Sequence, residues 1–310
     1  MSAQNTRVLS YGPEAIAEAA RLIRAGEVVA MPTETVYGLA ADATDGGAVA
    51  RIYEAKGRPR FNPLIVHVRD AAQASEFTTF DNTARGYADA HWPGPLTLVL
   101  PLRPDGRLAS LVTAGLSTVA VRVSAHPAMR DLLAAVGRPL AAPSANASGR
   151  ISPSRAAHVL ASLEGRIPLV VDAGPTSHGL ESTIVALTGG KPRLLRSGPI
   201  DLGLDLSHGD GVEAPGQLAS HYAPSKPVRL DAERAEPDEW LIGFGAVAGH
   251  VSLSESGDVV EAAARLFDLL HGADAGPAAR IAVAPVPEAG LGIAINDRLR
   301  RAAAPRRNDP

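Results

Sequence analysis

A short cationic loop is the first stretch of this sequence whose residue types suggest chemistry. Residues 56–62 read KGRPRFN and bring three cations, a glycine and a proline together immediately before an apolar strand. Gly57 permits a sharp turn and Pro59 restricts the path, so the cations are held in order. Ordered cations suit a bound anion, and phosphate is the natural one, because arginine offers a fork and lysine a point charge. The sequence has no G-x-x-x-x-G-K-[ST] loop, so this is not a Walker-type site, and a merely solvated loop remains the alternative.

An arginine inside an alternating strand is the second feature. Residues 118–124 read TVAVRVS, and a period of two puts the three valines on one face and Arg122 on the other. An unpaired buried charge is costly, so Arg122 needs an anionic partner. Either a protein carboxylate or a substrate carboxylate would serve. His67 lies in the apolar strand after the cationic loop, where a lone histidine is more often a core residue than a ligand.

Four stretches rich in small hydroxyl and amide side chains complete the candidate set. They are residues 31–40, 142–154, 180–185 and 194–198. Such groups are weak acids and bases but good hydrogen-bonding groups. Ser152 is predicted to cap a helix with Pro153 in its first position, which would offer an anion site. The sequence has no HExxH motif and no GxSxG motif. It therefore indicates a site that positions charged substrates and stabilises developing charge without a strong general base.

The helices and strands that would position these groups follow from hydrophobic periodicity. Apolar residues between Ile16 and Ile23 recur at i, i+3, i+4 and i+7, as in a helix. A helix over 47–57 is predicted to end at Gly57. Alternating strands and helices predict an α/β fold, and consecutive late strands predict a mixed sheet. Strands are predicted at 27–31, 63–68, 96–102, 118–124, 139–144, 168–174, 182–188 and 192–198, and further helices at 127–136 and 153–163.

Charge and composition change near residue 200. Residues 1–200 carry a net charge of +4 and residues 201–310 a net charge of -7, within a chain total of -3. The first part is therefore the better candidate for binding an anion. The segment 198–227 is rich in Gly, Pro and Asp without a clear period, as in a long linker. A strand at 240–245, a helix at 258–272, a strand at 280–286 and a helix at 292–303 then predict a small second α/β module.

Composition also bounds the compartment. No stretch is long and apolar enough to span a bilayer, and the N-terminus lacks the apolar core of a secretory signal. The chain has no cysteine, which excludes disulfides, thiolate catalysis and cysteine-based zinc sites. We therefore expect a cytoplasmic protein with no membrane contact.

Seven short motifs occur in the order typical of the YrdC-like family, and the chain resembles in particular its two-domain branch of L-threonylcarbamoyladenylate synthases. The motifs are PTETVYGL at 32–39, KGRP at 56–59 continuing to NPLIVHV, PGPLTLVL at 93–100, VAVRVS at 119–124, APSAN at 142–146, ESTIV at 181–185 and LRSG at 195–198. The two-domain branch is marked by PGQLASHYAP at 215–224 and by GLGIAINDRLRRAA at 290–303. The linker departs from that branch at Gln217, Ala219 and Ser220, where a methionine and one or two basic residues are usual.

The resemblance implies an α/β fold with a YrdC-like twisted mixed sheet and flanking helices, followed by a linker and a small C-terminal Rossmann-like α/β domain. The implied catalytic domain covers residues 1–200. A linker or lid over the active site covers 201–227, the C-terminal domain covers 228–304, and 305–310 form a disordered tail.

The resemblance also implies a nucleotidyltransferase that makes threonylcarbamoyl-AMP and pyrophosphate from L-threonine, bicarbonate or CO₂, and ATP. Mg²⁺ would be held mainly through the ATP phosphates, with no metal site of the protein's own. The product would serve threonylcarbamoyladenosine modification of tRNA next to the anticodon, through a downstream tRNA threonylcarbamoyl transferase machinery, and weak tRNA binding by this chain is a further expectation.

The residues carried over by motif position fall into two groups. The implied L-threonine-binding residues are Thr35, His67, Arg122, the backbone at Ala142, and Ser182. The implied ATP-binding residues are Lys56, Arg58, Asn62, Thr118, Ser144, Asn146, Ser152, Arg196 and Tyr222, of which Lys56 and Arg58 are also expected to be catalytic.

Two other functions stay open. An RNA-binding YrdC-like module without adenylylation activity would use the same net-positive first part of the chain. A relative acting on another carbamoyl or acyl phosphate, of the hydrogenase-maturation type, would normally add zinc-finger and acylphosphatase-like domains, and this cysteine-free chain has no cysteine-based zinc finger.

Overall fold

Two β-sheets, each flanked by helices, form the described part of the protein. The computed structural model describes residues 5–207, 213–216 and 221–305. The strands are β1 (Arg7–Ser10), β2 (Val29–Met31), β3 (Gly38–Asp42), β4 (Ile65–His67), β5 (Leu96–Pro101), β6 (Thr118–Arg122), β7 (Leu140–Ala141), β8 (Leu169–Asp172), β9 (Thr183–Ala186), β10 (Arg193–Arg196), β11 (Val228–Arg229), β12 (Glu239–Gly243), β13 (Val251–Ser252) and β14 (Arg280–Val283). The helices are α1 (Pro13–Arg24), α2 (Gly46–Lys56), α3 (Ala71–Ser75), α4 (Asn82–His91), α5 (Ser110–Thr113), α6 (Pro127–Val136), α7 (Ala156–Leu163), α8 (Val259–Ala275) and α9 (Leu291–Ala303).

The larger sheet is mixed, as the sequence predicts. Its order is β1-β8-β2-β3-β7-β4-β6-β5-β9-β10. Strands β4 and β6 are parallel, whereas β5 and β6 are antiparallel. The parallel register places His67 opposite Arg122, so both side chains emerge at the same level of the sheet. The predicted alternation in β6 is confirmed, because Val119, Val121 and Val123 all join one buried cluster.

Helix α1 shows why the first part of the sequence folds as predicted. Pro13 occupies its first turn, and its apolar stripe packs against α6 and the strands β2 and β8. Burying a side chain such as Ile23 or Leu132 contributes about 1.5–3 kcal/mol each. The apolar stripe of α1 therefore covers one face of the larger sheet.

Helix α2 delivers the cationic loop. Asp45 caps its N-terminus by accepting hydrogen bonds from the N–H groups of Gly47 and Ala48. Gly57 ends it with φ 58, which confirms the predicted C-cap and requires the left-handed conformation that glycine adopts readily. The chain then reverses and enters β4 after Pro63.

Helix α7 begins later than predicted, and Ser152 is not its cap. The helix starts at Ala156, and Arg155 holds the capping position without a side-chain bond. Ser152 instead donates from Oγ to Glu181 Oε1 at 2.5 Å. A hydrogen bond from a hydroxyl to a buried carboxylate is stronger than one between neutral groups. The Ser152 hydroxyl therefore bonds to Glu181 and does not cap the helix. The prediction that Ser152 caps this helix is therefore wrong.

The smaller sheet is parallel, with order β11-β14-β12-β13, and is packed by α8 and α9. Its apolar cluster does not stop at the smaller sheet, since it also contains Val36, Ile151, Leu180 and Tyr222. No helix of the described residues is long and apolar enough to cross a membrane. The departures at Gln217, Ala219 and Ser220, and residues 306–310 of the predicted tail, lie outside the described residues.

Candidate functional site

A cleft opens beside the ends of β4 and β6. Its walls come from the loop after β2, the segments around β7 and β9, the end of β10 and the stretch just before β11. Nine residues expected from the sequence line it: Thr35, Arg58, His67, Arg122, Ala142, Ser144, Ser182, Arg196 and Tyr222. Five others do not line it: Lys56, Asn62, Thr118, Asn146 and Ser152.

Arg122 is paired with a protein carboxylate. Its Nη2 lies 2.7 Å from Glu34 Oε1, and both side chains are buried. Its other nitrogens donate to Thr35 Oγ1 at 2.9 Å and to the carbonyl oxygen of Gly94 at 3.2 Å. Of the two partners that the sequence left open for Arg122, the structure shows the protein carboxylate, because Glu34 supplies a counter-charge.

Glu34 is held ionised by its surroundings. Burial alone would raise its pKa, but attraction to Arg122 and hydrogen bonds from Ser124 and the N–H of Ala125 outweigh burial and lower the pKa to about 2. Glu34 is thus an anion at any physiological pH. It fixes the orientation of the guanidinium that faces the cleft.

His67 is buried and neutral. Burial lowers its pKa to about 3, and the nearby Arg122 cation adds to this, while Glu34 opposes it. Its Nδ1 has no hydrogen-bond partner among the described residues. An unpartnered buried nitrogen at a cleft wall is costly unless a ligand completes it.

The other half of the cleft is cationic. Arg58 is held by the carbonyl oxygens of Asn62 and Pro63, and Arg196 by Ser182 and the carbonyl oxygen of Pro215. Burial lowers the pKa of Arg58 to about 10 and also lowers the pKa of Arg196. Among the described residues, no carboxylate forms an ion pair with either of them. This half is therefore electrostatically prepared for an anion.

His221 sits where these cations meet. Burial lowers its pKa well below the usual value, and Arg58, Lys56, Arg196 and Arg301 lower it further. It is thus a neutral imidazole in a positive environment, with Nδ1 unpartnered within the described residues. A negatively charged ligand would relieve that environment.

Lys56 lies behind the cleft wall. Its Nζ donates to the carbonyl oxygen of Ser144 at 2.6 Å and to that of Asn146. Burial, and then the charge of Arg58, lowers its pKa well below the usual value. Through these two hydrogen bonds, the Lys56 side chain connects the end of α2 to the loop that carries Ser144.

The remaining expected residues differ in their distance from the cleft. Within the described part of the chain, buried Asn62 has no partner for either amide atom. Asn146 donates to the carbonyl oxygens of Ala147 and Arg150, and its own oxygen has no partner there. Thr118 begins β6, four residues before Arg122, which corresponds to about 13 Å along a strand. The structure does not bring Thr118 to the cleft.

The segment before β11 closes one side of the cleft. Gly216 has φ 88 and packs so closely that an added Cβ would lie 2.8 Å from Tyr222 Oη. Tyr222 itself adopts φ 61, is buried, and has no partner for its hydroxyl among the described residues. A left-handed non-glycine residue is strained, and such strain persists where surrounding contacts enforce it.

Comparison with known proteins decides the family. Residues 21–198 match the family model Sua5_yciO_yrdC, described as telomere recombination, and residues 193–304 match the model described as the threonylcarbamoyl-AMP synthase C-terminal domain. The chain belongs to the threonylcarbamoyl-AMP synthase family.

Individual relatives of this family match over nearly the whole chain. The threonylcarbamoyl-AMP synthase of Bacillus subtilis is 40% identical, over 97% of this chain and 96% of that protein. The crystal structure of Pyrococcus abyssi Sua5 complexed with L-threonine superposes with a TM-score of 0.88 at 37% identity, covering 96% of this chain and 98% of that one. A P. abyssi Sua5 variant with a histidine and a tyrosine replaced by alanine superposes with a TM-score of 0.87 at 35% identity, covering 96% of each chain.

Three residues at the cleft have no role in the sequence interpretation: Glu181 and His221, which line it, and Glu34, which contacts the lining residue Arg122. Glu34 lies within the polar stretch 31–40 and Glu181 within the stretch 180–185, where neither is singled out, and His221 lies in the linker motif beside Tyr222. The adjacent His–Tyr pair was the signal that could have identified His221. Nothing in local periodicity indicates that Glu34 and Glu181 would each face an arginine from a distant segment.

Proposed function

We propose that this chain is an L-threonylcarbamoyladenylate synthase. The threonine amine and bicarbonate or CO₂ give a carbamate, a carbamate oxygen attacks the α-phosphate of ATP, and pyrophosphate leaves as threonylcarbamoyl-AMP forms. The observation that carries the proposal is the cleft itself, where a polar half around Arg122 adjoins a cationic half without carboxylate partners in the described chain. Relatives named threonylcarbamoyl-AMP synthase, and the threonine complex of P. abyssi Sua5, support this assignment.

The polar half fits an amino acid. Thr35, Ser182 and the backbone at Ala142 surround His67 and Arg122 in the cleft wall. We assign the threonine carboxylate to Arg122, which would then be shared between Glu34 and the substrate. Neutral His67 would complete its unpartnered Nδ1 with a hydrogen bond to the substrate.

The cationic half fits a triphosphate. Arg58, Arg196 and neutral His221 line it, and the charges of Arg58, Lys56 and Arg196 all lower the pKa of His221. Fixed cations that face the developing charge on the phosphates lower the barrier without reorganising, as in other phosphoryl and nucleotidyl transfers. We assign ATP contacts to Arg58, Arg196, Ser144 and Tyr222. Lys56 would act on the nucleotide either directly or through the Ser144–Asn146 loop that it holds.

Mg²⁺ belongs to the nucleotide in this proposal. Among the described residues there is no cluster of three or more His, Asp or Glu side chains suited to a metal ion. Glu181, which lines the cleft, and Glu34, which contacts the lining residue Arg122, are each paired with an arginine. Mg²⁺ would be held mainly through phosphate oxygens and would neutralise part of their charge.

We also propose that the stretch between the two sheets, residues 201–227, acts as a lid between a catalytic domain (1–200) and a C-terminal domain (228–304). Pro215, Gly216, His221 and Tyr222 from this stretch line the cleft. Lids of this kind exclude water and complete a site on closure. Limited proteolysis should therefore cleave within 201–227 more slowly when ATP and threonine are present, and equal cleavage would contradict a lid.

The product is an activated acyl-adenylate, which calls for a consuming transferase. We propose that the threonylcarbamoyl group passes to adenosine next to the tRNA anticodon through a separate transferase machinery. No feature of the described residues favours the RNA-binding alternative, and any tRNA binding by this chain would be weak and would fall with salt.

Pyrophosphate release tests the function directly. The purified chain should release pyrophosphate from ATP and Mg²⁺ only when threonine and bicarbonate are both present, and mass spectrometry should detect threonylcarbamoyl-AMP. Replacing threonine with serine measures side-chain preference. No release under any of these conditions, combined with salt-sensitive tRNA binding, would favour the RNA-binding alternative.

A further inference from the structure

An arginine of α9, a helix that packs on the smaller sheet, contacts Glu181, which lines the cleft. Arg298 lies on α9, yet its relative exposure is 0%. Its Nε donates to Glu181 Oε2 at 3.1 Å, and its Nη1 donates to the carbonyl oxygen of Ser197 at 2.8 Å. Glu181 and Ser197 belong to the segments on either side of β9 and β10 in the larger sheet. The guanidinium therefore bridges the two sheets.

Glu181 connects this bridge to the cleft floor. Its second oxygen, Oε1, accepts the hydroxyl hydrogen bond of Ser152 at 2.5 Å. The next residue, Ser182, holds Arg196 through its hydroxyl at 3.1 Å and its carbonyl oxygen at 3.0 Å. Moving Glu181 would thus move the residue that orients a cation of the nucleotide half.

Arg298 also supports the lid residue Tyr222. The guanidinium carbon lies 5.6 Å from the centroid of the Tyr222 ring, within the range of a cation–π contact. On another side, the ring packs against Phe267 of α8 at a centroid distance of 5.7 Å. Tyr222 has a left-handed backbone, so its position depends on such contacts. The helices α8 and α9, which pack on the smaller sheet, supply these two contacts with Tyr222.

We propose that Arg298 is a positioning residue for nucleotide binding, through which the C-terminal sheet holds Glu181 and Tyr222 in the closed arrangement. This rests on the proposed function. It gives the smaller sheet a specific task, because without α9 the lid tyrosine and the β9 entry would lose their shared support. Arg298 does not line the cleft, so it acts through these two residues.

Substitution of Arg298 tests the role. In Arg298→Met the KM for ATP should rise at least tenfold and by a larger factor than the KM for threonine, because Tyr222 and Arg196 both belong to the nucleotide half. Arg298→Lys should recover part of the lost ATP affinity. An ammonium can pair with Glu181, but it lacks the planar fork of a guanidinium and cannot bond to the Ser197 carbonyl oxygen at the same time. The matched control is Arg300→Met on the same helix, because Arg300 pairs with the exposed Glu288. Its KM for ATP should equal that of wild type.

A double variant separates positioning from simple charge balance. Glu181→Gln with Arg298→Met removes both buried charges, so the melting temperature should recover toward wild type. The KM for ATP should stay raised, because Tyr222 still lacks its support. Recovery of both quantities, or a wild-type KM for ATP in Arg298→Met, would overturn the proposal.

Binding of a non-hydrolysable ATP analogue, measured by calorimetry on the same proteins, gives a readout independent of turnover. Wild type that binds the analogue but releases no pyrophosphate would contradict the proposed function alone. Equal analogue affinity in wild type and Arg298→Met would contradict the positioning role alone.

Discussion

Glu34 Oε1 and Arg122 Nη2 lie 2.7 Å apart at the cleft, where Arg122 is a lining residue and its guanidinium also donates a hydrogen bond to Thr35. Because both side chains are buried, water does not solvate either charge. The pair therefore sets up a competition: a substrate carboxylate that reaches Arg122 must share it with Glu34.

Glu34→Gln tests this competition. The substitution leaves a buried arginine without its counter-charge, which should lower the free energy of unfolding by about 3–5 kcal/mol. Threonine would then restore an anionic partner, so it should raise the melting temperature of the variant more than that of wild type. Thermal denaturation with and without threonine measures both effects. Glu54→Gln, at an exposed position of α2, is the control. An equal threonine shift in variant and wild type would place the substrate carboxylate elsewhere.

Lys56→Met tests the buried ammonium. The variant keeps the apolar stem but leaves the carbonyl oxygens of Ser144 and Asn146 without their donor. We expect pyrophosphate release to fall by about 100-fold or more, as for loss of one preorganised electrostatic group. Initial-rate measurements at saturating threonine check this. Lys191→Met is a control from the small set of lysines and lies at an exposed position. A near-wild-type rate would remove Lys56 from the mechanism.

Tyr222→Phe should separate stability from binding. The Tyr222 hydroxyl is buried with no partner in the described chain, so its removal should leave the free energy of unfolding unchanged or raise it by about 1 kcal/mol. ATP affinity should fall about 5- to 10-fold, because the hydroxyl is then absent from the nucleotide site. Urea denaturation and analogue titration give the two quantities.

Tyr53→Phe is the matched comparison for that prediction. The Tyr53 hydroxyl hydrogen-bonds to the carbonyl oxygens of Asn62 and Leu111 at 3.0 and 2.9 Å. Its loss should destabilise the protein by about 1 kcal/mol. Destabilisation by Tyr222→Phe of the same size would show that the Tyr222 hydroxyl is satisfied without ligand.

A histidine pair predicts the pH dependence of stability. The rings of His158 on α7 and His271 on α8 stack 3.8 Å apart. Burial lowers the pKa of His158 to about 4, with His271 and Arg155 adding and Asp268 opposing; burial also lowers the pKa of His271. The unfolded chain then takes up protons first, so stability should fall as pH drops from about 6.5 toward about 4.

Melting temperatures at several pH values between 7 and 4.5 check this. His158→Gln should flatten part of the slope, and other buried histidines such as His67 keep the rest, because their pKa values are lowered in the same direction. The control is His91→Gln at the end of α4. Identical slopes in wild type and His158→Gln would assign the pH dependence to other groups.

Local patterns predicted much of the fold. The stripe in α1, the end of α2 at Gly57 and the valine face of β6 all depend on residues a few positions apart, whose geometry is set by the helical or strand period. In two short stretches the structure differs from what the sequence predicts. Ser152 resembled a helix cap, but a distant carboxylate bonds its hydroxyl. The stretch holding β3 was interpreted only as a polar segment, although it forms a fully buried strand.

The sequence by itself determined the α/β class, the mixed sheet, the family, and nine of the residues that line the cleft. Only the tertiary structure decided which charges meet there. Arg122 pairs with Glu34 and Arg298 with Glu181 across 88 and 117 positions of the chain. An unpaired buried charge is costly, but no local period specifies which distant segment supplies the partner of Arg122 or Arg298. That choice is made when strands and helices pack, and it places an arginine of the last helix against the cleft.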